Sequence, residues 1–171
     1  MIKVLKNIEK TILIDLLKQP DVWKTLNIDY HAPRVERLYT FWNGYRICLH
    51  KIFSCRKEDA LYHPHPWSAA FHILDGSYET GLGYSETENP PKILSTIKSK
   101  GDMYYEMTDP NTWHYVRPTN KNDWCYSIMV NGENFDNINP GVTSPGVKLK
   151  ELSDEKKMSM LRSFQVLYET N

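Results

Sequence analysis

The chain has no excess of either charge, since 21 Lys and Arg residues balance 21 Asp and Glu. This removes the broad attraction to nucleic acid or anionic membranes that a basic protein carries. It lacks any apolar run near the roughly 20 residues needed to cross a bilayer. The N-terminal stretch MIKVLKNIEKTILIDLLK is interrupted by charge throughout and precedes no small-residue cleavage site, so it reads as a helix rather than a secretion signal. Cysteine is scarce. Cys48, Cys55 and Cys125 form no CxxC pair, and an odd count without a secretion signal argues against a disulfide framework. Core thiols are the simpler reading. Repeats, low-complexity tracts and DNA-binding modules are also missing. What remains is the expectation of one cytoplasmic domain over residues 1–171, serving a small molecule rather than nucleic acid or a membrane, with a homodimer as an open option.

Aromatic residues are plentiful, with 11 Tyr and 5 Trp. Rings of this kind fit a pleated, half-buried surface and also the wall of a small-molecule cavity. Val4, Ile8, Ile12, Leu16 and Leu17 recur at helical spacing and predict an N-terminal helical segment over residues 1–30, with Asp21 capping a short second helix. After about residue 34, short runs rich in Val, Ile, Tyr, Trp and Phe alternate with turn residues. The candidate strands are Arg37–Trp42, Arg46–Phe53, Trp67–Leu74, Tyr78–Tyr84, Lys92–Ile97, Met103–Met107, His114–Pro118 and Trp124–Val130. Asn43-Gly44 and Asp75-Gly76 are hairpin signals. Asn131–Gly146 reads as a loop. Residues 152–169 read as a C-terminal helix, with Ser153 as its N-cap. The pattern predicts an all-β core, a sandwich or barrel, over residues 34–132 between terminal helices.

Of the six histidines, His63-Pro64-His65 is the informative pair. Residues two apart on a strand share a face, so two imidazoles can reach one metal ion. An exposed polar loop before a strand is the alternative. An apolar strand, the Asp75-Gly76 turn and a second strand follow, then Gly101-Asp102, Pro110 and His114. At this point the chain resembles the cupin superfamily, whose first motif is HxH followed by a Glu and a Gly, and whose second holds a Gly, a Pro and a third His. The matching residues are His63, His65 and Gly76, then Gly101, Pro110 and His114. The resemblance implies a cupin-type antiparallel β-barrel (jelly roll) and one divalent metal held by His63, His65 and His114.

The position of the usual ligand Glu is Ala69. The chain therefore resembles the three-histidine cupins, of which the cysteine dioxygenase type is the best-known group. Arg37-Leu38-Tyr39 followed by Asn43-Gly44 and an apolar strand resembles their stretch with a carboxylate-binding Arg. The Gly76-Ser77-Tyr78-Glu79 turn, His114-Tyr115-Val116 and the late strand ending near Phe135-Asp136 fit as well. Two features of that group are absent. Ala69 and Ala70 stand near where some members carry a cysteine, and Met129 to Asn131 stand where a tyrosine is expected. The His-Pro-His-Pro-Trp run also resembles uncharacterised cupin-domain proteins of bacteria and phages, which imply a fold but no reaction.

Arg37 and Arg46 are the candidate anion binders, because an Arg facing an apolar interior needs an anionic partner. The alternative is a surface position for each. Trp67, Tyr105 and Trp113 flank the motifs as candidate substrate contacts, with core packing as the alternative. Glu79 and Glu106 are candidate acceptors orienting an imidazole, or solvated carboxylates. Alternation along Trp67–Leu74 turns His72 away if Ala69 faces inward. His50 is a weaker candidate of the same kind, and His31 reads as a solvated loop residue. The resulting expectation is an Fe(II)-dependent, cupin-type dioxygenase acting on a small polar thiol or carboxylate. Three imidazoles leave about three open positions on an octahedral ion for such chemistry. The alternatives are a Zn or Ni cupin acting as isomerase or hydrolase, and a non-catalytic small-molecule-binding cupin.

Overall fold

The N-terminal apolar periodicity forms two helices, α1 (Ile2–Thr11) and α2 (Leu13–Leu17), and Pro20–Val22 adds a single 3-10 turn. In this computed structural model residues 1–86, 93–119, 123–136 and 149–169 are described. The helical segment ends sooner than expected: Lys24–Ile28 is strand β1, not helix. Its register against β2 (Val35–Trp42) supplies the backbone partners that decide the matter.

The remaining strands are β3 (Tyr45–Phe53), β4 (His63–Pro64), β5 (Trp67–Asp75), β6 (Ser77–Tyr84), β7 (Leu94–Ser99), β8 (Met103–Glu106), β9 (Thr112–Pro118) and β10 (Trp124–Asn134). They form a six-stranded sheet ordered β1-β2-β3-β10-β5-β8 and a four-stranded sheet ordered β4-β9-β6-β7. Every pairing among the described strands is antiparallel. The β2–β3 hairpin turns on Asn43 and Gly44, both at positive φ (46° and 79°), as a tight right-twisting turn requires. Strand β10 outruns its expected end, because Asn131 pairs with both Arg46 and Ala69, and Asn134 with Trp67. The rest of the expected 131–146 loop lies outside the described residues from 137 onward.

Both faces of the larger sheet are covered. On the outer face, Leu38, Ile47, Leu49, Ala70, Leu74, Ile128 and Val130 pack against Leu5, Ile8, Leu13 and Leu17 of α1 and α2. Helix α3 (Asp154–Glu169) adds Met160, Leu161 and Phe164 to that layer. Ser153 caps it, its Oγ accepting from the Lys156 N–H at 3.3 Å. The inner face carries Cys48, Ile52, Ala69, Phe71, Ile73, Cys125 and Met129, packed with Tyr78 of the smaller sheet. Cys48 and Cys125 are the expected core thiols, whereas Cys55 is only partly buried. The expected all-β core between terminal helices is thus a two-sheet sandwich, and no described helix is long and apolar enough to cross a membrane.

Candidate metal centre

Strand register brings the three histidines together. His63 sits directly opposite His114 in the β4–β9 pair, and His65 follows the end of β4. The Nε2 atoms of His63 and His65 are 3.0 Å apart, as are those of His65 and His114. Metal–nitrogen bonds of ~2.1 Å at right angles separate neighbouring donors by ~3.0 Å. The spacing therefore fits adjacent corners of one coordination shell.

Proton placement strengthens the fit. His63 Nδ1 lies 3.0 Å from the Leu61 carbonyl, which can only accept, so Nδ1 carries the proton. His114 Nδ1 faces the Glu106 carboxylate at 3.3 Å in the same way. Burial, then the neighbouring His114, lower the His63 pKa to about 3, and burial with His63 and His114 holds His65 well below its usual value. The His63 and His65 rings are therefore neutral at pH ~7, given an ordinary histidine near ~6.5. With Nδ1 protonated, the Nε2 atom of neutral His63 presents its lone pair toward His65. Neutral imidazoles with Nδ1 fixed by carbonyl or carboxylate are the form in which histidine binds metal.

Two arginines project from the inner face of the larger sheet. Arg37 Nε donates to His50 Nε2 at 2.8 Å. The Arg46 guanidinium lies over the Tyr39 ring, 4.3 Å from its centroid. His50 is buried, and burial together with Arg37 and Arg46 drives its pKa well down, so it serves Arg37 as a neutral acceptor. Ala69 stands inward with no carboxylate, and its partner across the strands is Glu106. Glu106 is buried, with Oε1 accepting from Thr80 at 2.8 Å while Oε2 faces His114.

No family model matches the chain, and no curated protein is significantly similar to it. Solved structures do resemble it. One is hydroxypropylphosphonic acid epoxidase from S. wedmorenis, with a TM-score of 0.53 at 13% identity, covering 68% of this chain and 57% of that one. An Fe(II) form of HppE gives 0.52 at 15% identity, covering 66% and 57%. The epoxidase in complex with fosfomycin gives 0.53 at 14% identity, covering 68% and 57%. The fold is a cupin-like β-sandwich. The chain matches about 57% of the length of these structures.

Within the cupin-like frame the other sequence candidates divide. Trp67 neighbours His65, with ring centroids 5.0 Å apart. Trp113 points from the other face of β9 than His114, and its Nε1 donates to the Ser85 carbonyl at 3.3 Å. Tyr105 is exposed, one residue out of phase with Tyr104 and Glu106. The structure therefore does not bring Trp113 or Tyr105 to the histidines. His72 faces α1 and bonds Glu9 at 2.7 Å, the side that strand alternation assigns to it. Glu79 also lies away from the centre, where Lys57, Tyr115 and Arg117 hydrogen-bond it. His31 is not a free loop side chain: it is partly buried, and its ring centroid is 6.0 Å from that of His63. Backbone bonding between Leu61 and Ala32 at 2.7 Å places it there, a contact invisible in the sequence.

Proposed function

We propose that this protein is a metal-dependent cupin oxidoreductase that holds one divalent ion, iron(II) by preference, on His63, His65 and His114. Its substrate is a small polar molecule bearing a thiol or carboxylate. The observation that carries the reading is the convergence of three imidazoles, two of which have their outer nitrogens occupied, His63 by the Leu61 carbonyl and His114 by Glu106. Three such donors leave about three coordination positions for substrate and O₂, and bound iron(II) supplies the redox chemistry toward O₂. The protein's own part is positional. Leu61 and Glu106 fix the orientation of the His63 and His114 rings, and buried surroundings keep His63 and His65 unprotonated. Arg37, steadied by His50, anchors the substrate's anionic end beside the histidines.

The test is anaerobic purification, iron loading and O₂ uptake against a thiol and carboxylate panel. Substrate-dependent uptake that vanishes in His65→Ala is expected. Full iron occupancy without uptake on any substrate counts against an oxygenase, and turnover with zinc in the absence of O₂ replaces it with Lewis-acid chemistry.

A further inference from the structure

Among the described residues, Arg37 is the cation that bears on the charge of both His63 and His65. Arg37 and Arg46 both project from the inner face of the larger sheet, where β2 pairs with β3. The groups that bear on the charge of Arg37 are Cys48, Arg46, Tyr30 and Tyr39, and none is a carboxylate. Its Nε is held by His50, which leaves its terminal nitrogens directed elsewhere. Arg46 Nε is buried without a hydrogen-bond partner among the described residues. Arg46 pairs across the strands with Phe41, yet its guanidinium lies over Tyr39, one step along the inner face toward Arg37. The Arg46 cation thus leans toward Arg37 and bears on its charge. Glu106, the carboxylate that meets the histidines, is already engaged by His114 and Thr80.

Two neighbouring guanidiniums on a largely buried sheet face repel, and neither has a carboxylate partner among the described residues, the anion that burial calls for. A single negative charge neutralises one of them. We infer that Arg37 and Arg46 together bind one small dianion, either a phosphonate-type group or a dicarboxylate, next to the three histidines. Arg37 contributes a fork steadied by His50 and Arg46 a fork backed by Tyr39, a geometry suited to bidentate oxygen acceptors. This deepens the functional reading above and rests on it for the position of the reacting centre, but the paired-arginine site stands on protein charges alone.

The experiment is calorimetric titration of the full chain loaded with zinc, which binds ligands without O₂ chemistry. The probes are methylphosphonate, succinate and propionate, in buffer basic enough to keep the first two doubly charged. Either dianion binds roughly tenfold or more tightly than propionate, the scale of an added charge-assisted contact. Arg37→Gln and Arg46→Gln each collapse that preference while zinc content stays constant, and Arg46→Lys keeps part of it and controls for folding. The stronger of the two dianions tells a tetrahedral group from a pair of carboxylates. Equal affinity for propionate and both dianions, or a preference that survives both Gln variants, overturns the inference. A wild-type chain that takes up no zinc sinks the metal reading instead, and the same titration on metal-free protein then decides the paired-arginine site.

Discussion

Glu106 illustrates how one side chain can set the character of the proposed centre by holding a ligand from behind rather than by reaching the ion itself. Its carboxylate receives the His114 Nδ1–H at 3.3 Å and the Thr80 hydroxyl at 2.8 Å. Removing it frees the His114 ring to rotate and weakens its donor strength. Glu106→Ala is expected to lower metal affinity by roughly 10- to 100-fold, with Glu106→Gln recovering part, as read by chelator competition. Unchanged affinity in Glu106→Ala would show that His114 is oriented by packing alone. Glu79 makes a different prediction. Its burial works to raise its pKa, but hydrogen bonds from Lys57, Tyr115, Arg117 and Ser95 outweigh that and bring it to about 2. A carboxylate depressed in the folded state stabilises fully above its unfolded pKa of ~4.3, and that stabilisation fades as pH falls toward the folded value. Urea unfolding of wild type and Glu79→Gln should therefore differ most at neutral pH and converge as pH approaches about 2. A gap independent of pH would mean that the network acts by shape rather than charge.

The strands and helices show which parts of the architecture are open to sequence reading. Alternation in β5 was legible: Ala69, Phe71 and Ile73 turn inward and His72 outward, where Glu9 meets it. The Asn-Gly turn and the Ser153 cap were legible because both are local chemistry. Strand β1 was not, since Lys24–Ile28 follows a helical run and only its register with β2 makes it a strand. The tail of β10 looks like a loop by composition, yet partners on both sides hold Asn131 in the sheet. Two elements give stability predictions. A methyl group on Gly81 would fall 2.1 Å from Tyr115 Cε1, because that ring lies across the glycine on β6. Gly81→Ala should cost about 1–3 kcal/mol in denaturant unfolding, unless Tyr115 swings away and releases Glu79. Phe164 seals α3 against the larger sheet, edge-on to Tyr126 with centroids 5.4 Å apart. Phe164→Ala is expected to cost about 3–5 kcal/mol, and a loss well under that range would mean that α3 contributes little to the sheet's outer layer.

At the scale of the whole molecule, the two sheets bring distant segments into one centre. His63 lies on a short strand at one edge of the smaller sheet, His65 just past its end, and His114 on the neighbouring strand. Arg37, His50 and Glu106 reach the interior from three strands of the larger sheet. The HxH spacing and the later His114 were legible as motifs. Glu106 was legible as a candidate imidazole acceptor, but that it meets His114, and that Arg37 pairs with His50, was not, because both depend on how the sheets stack and pair. The likeness to the solved epoxidase structures shows the fold alone, and the proposed chemistry rests on this chain's own side chains. The most direct measurement is elemental analysis of metal bound by purified protein reconstituted with iron(II), alongside His63→Ala, His65→Ala and His114→Ala. The structure predicts about one ion per chain in the wild type and near-complete loss in each variant. Metal well below that level in the wild type, or equal retention in all three variants, would contradict a metal centre at these histidines.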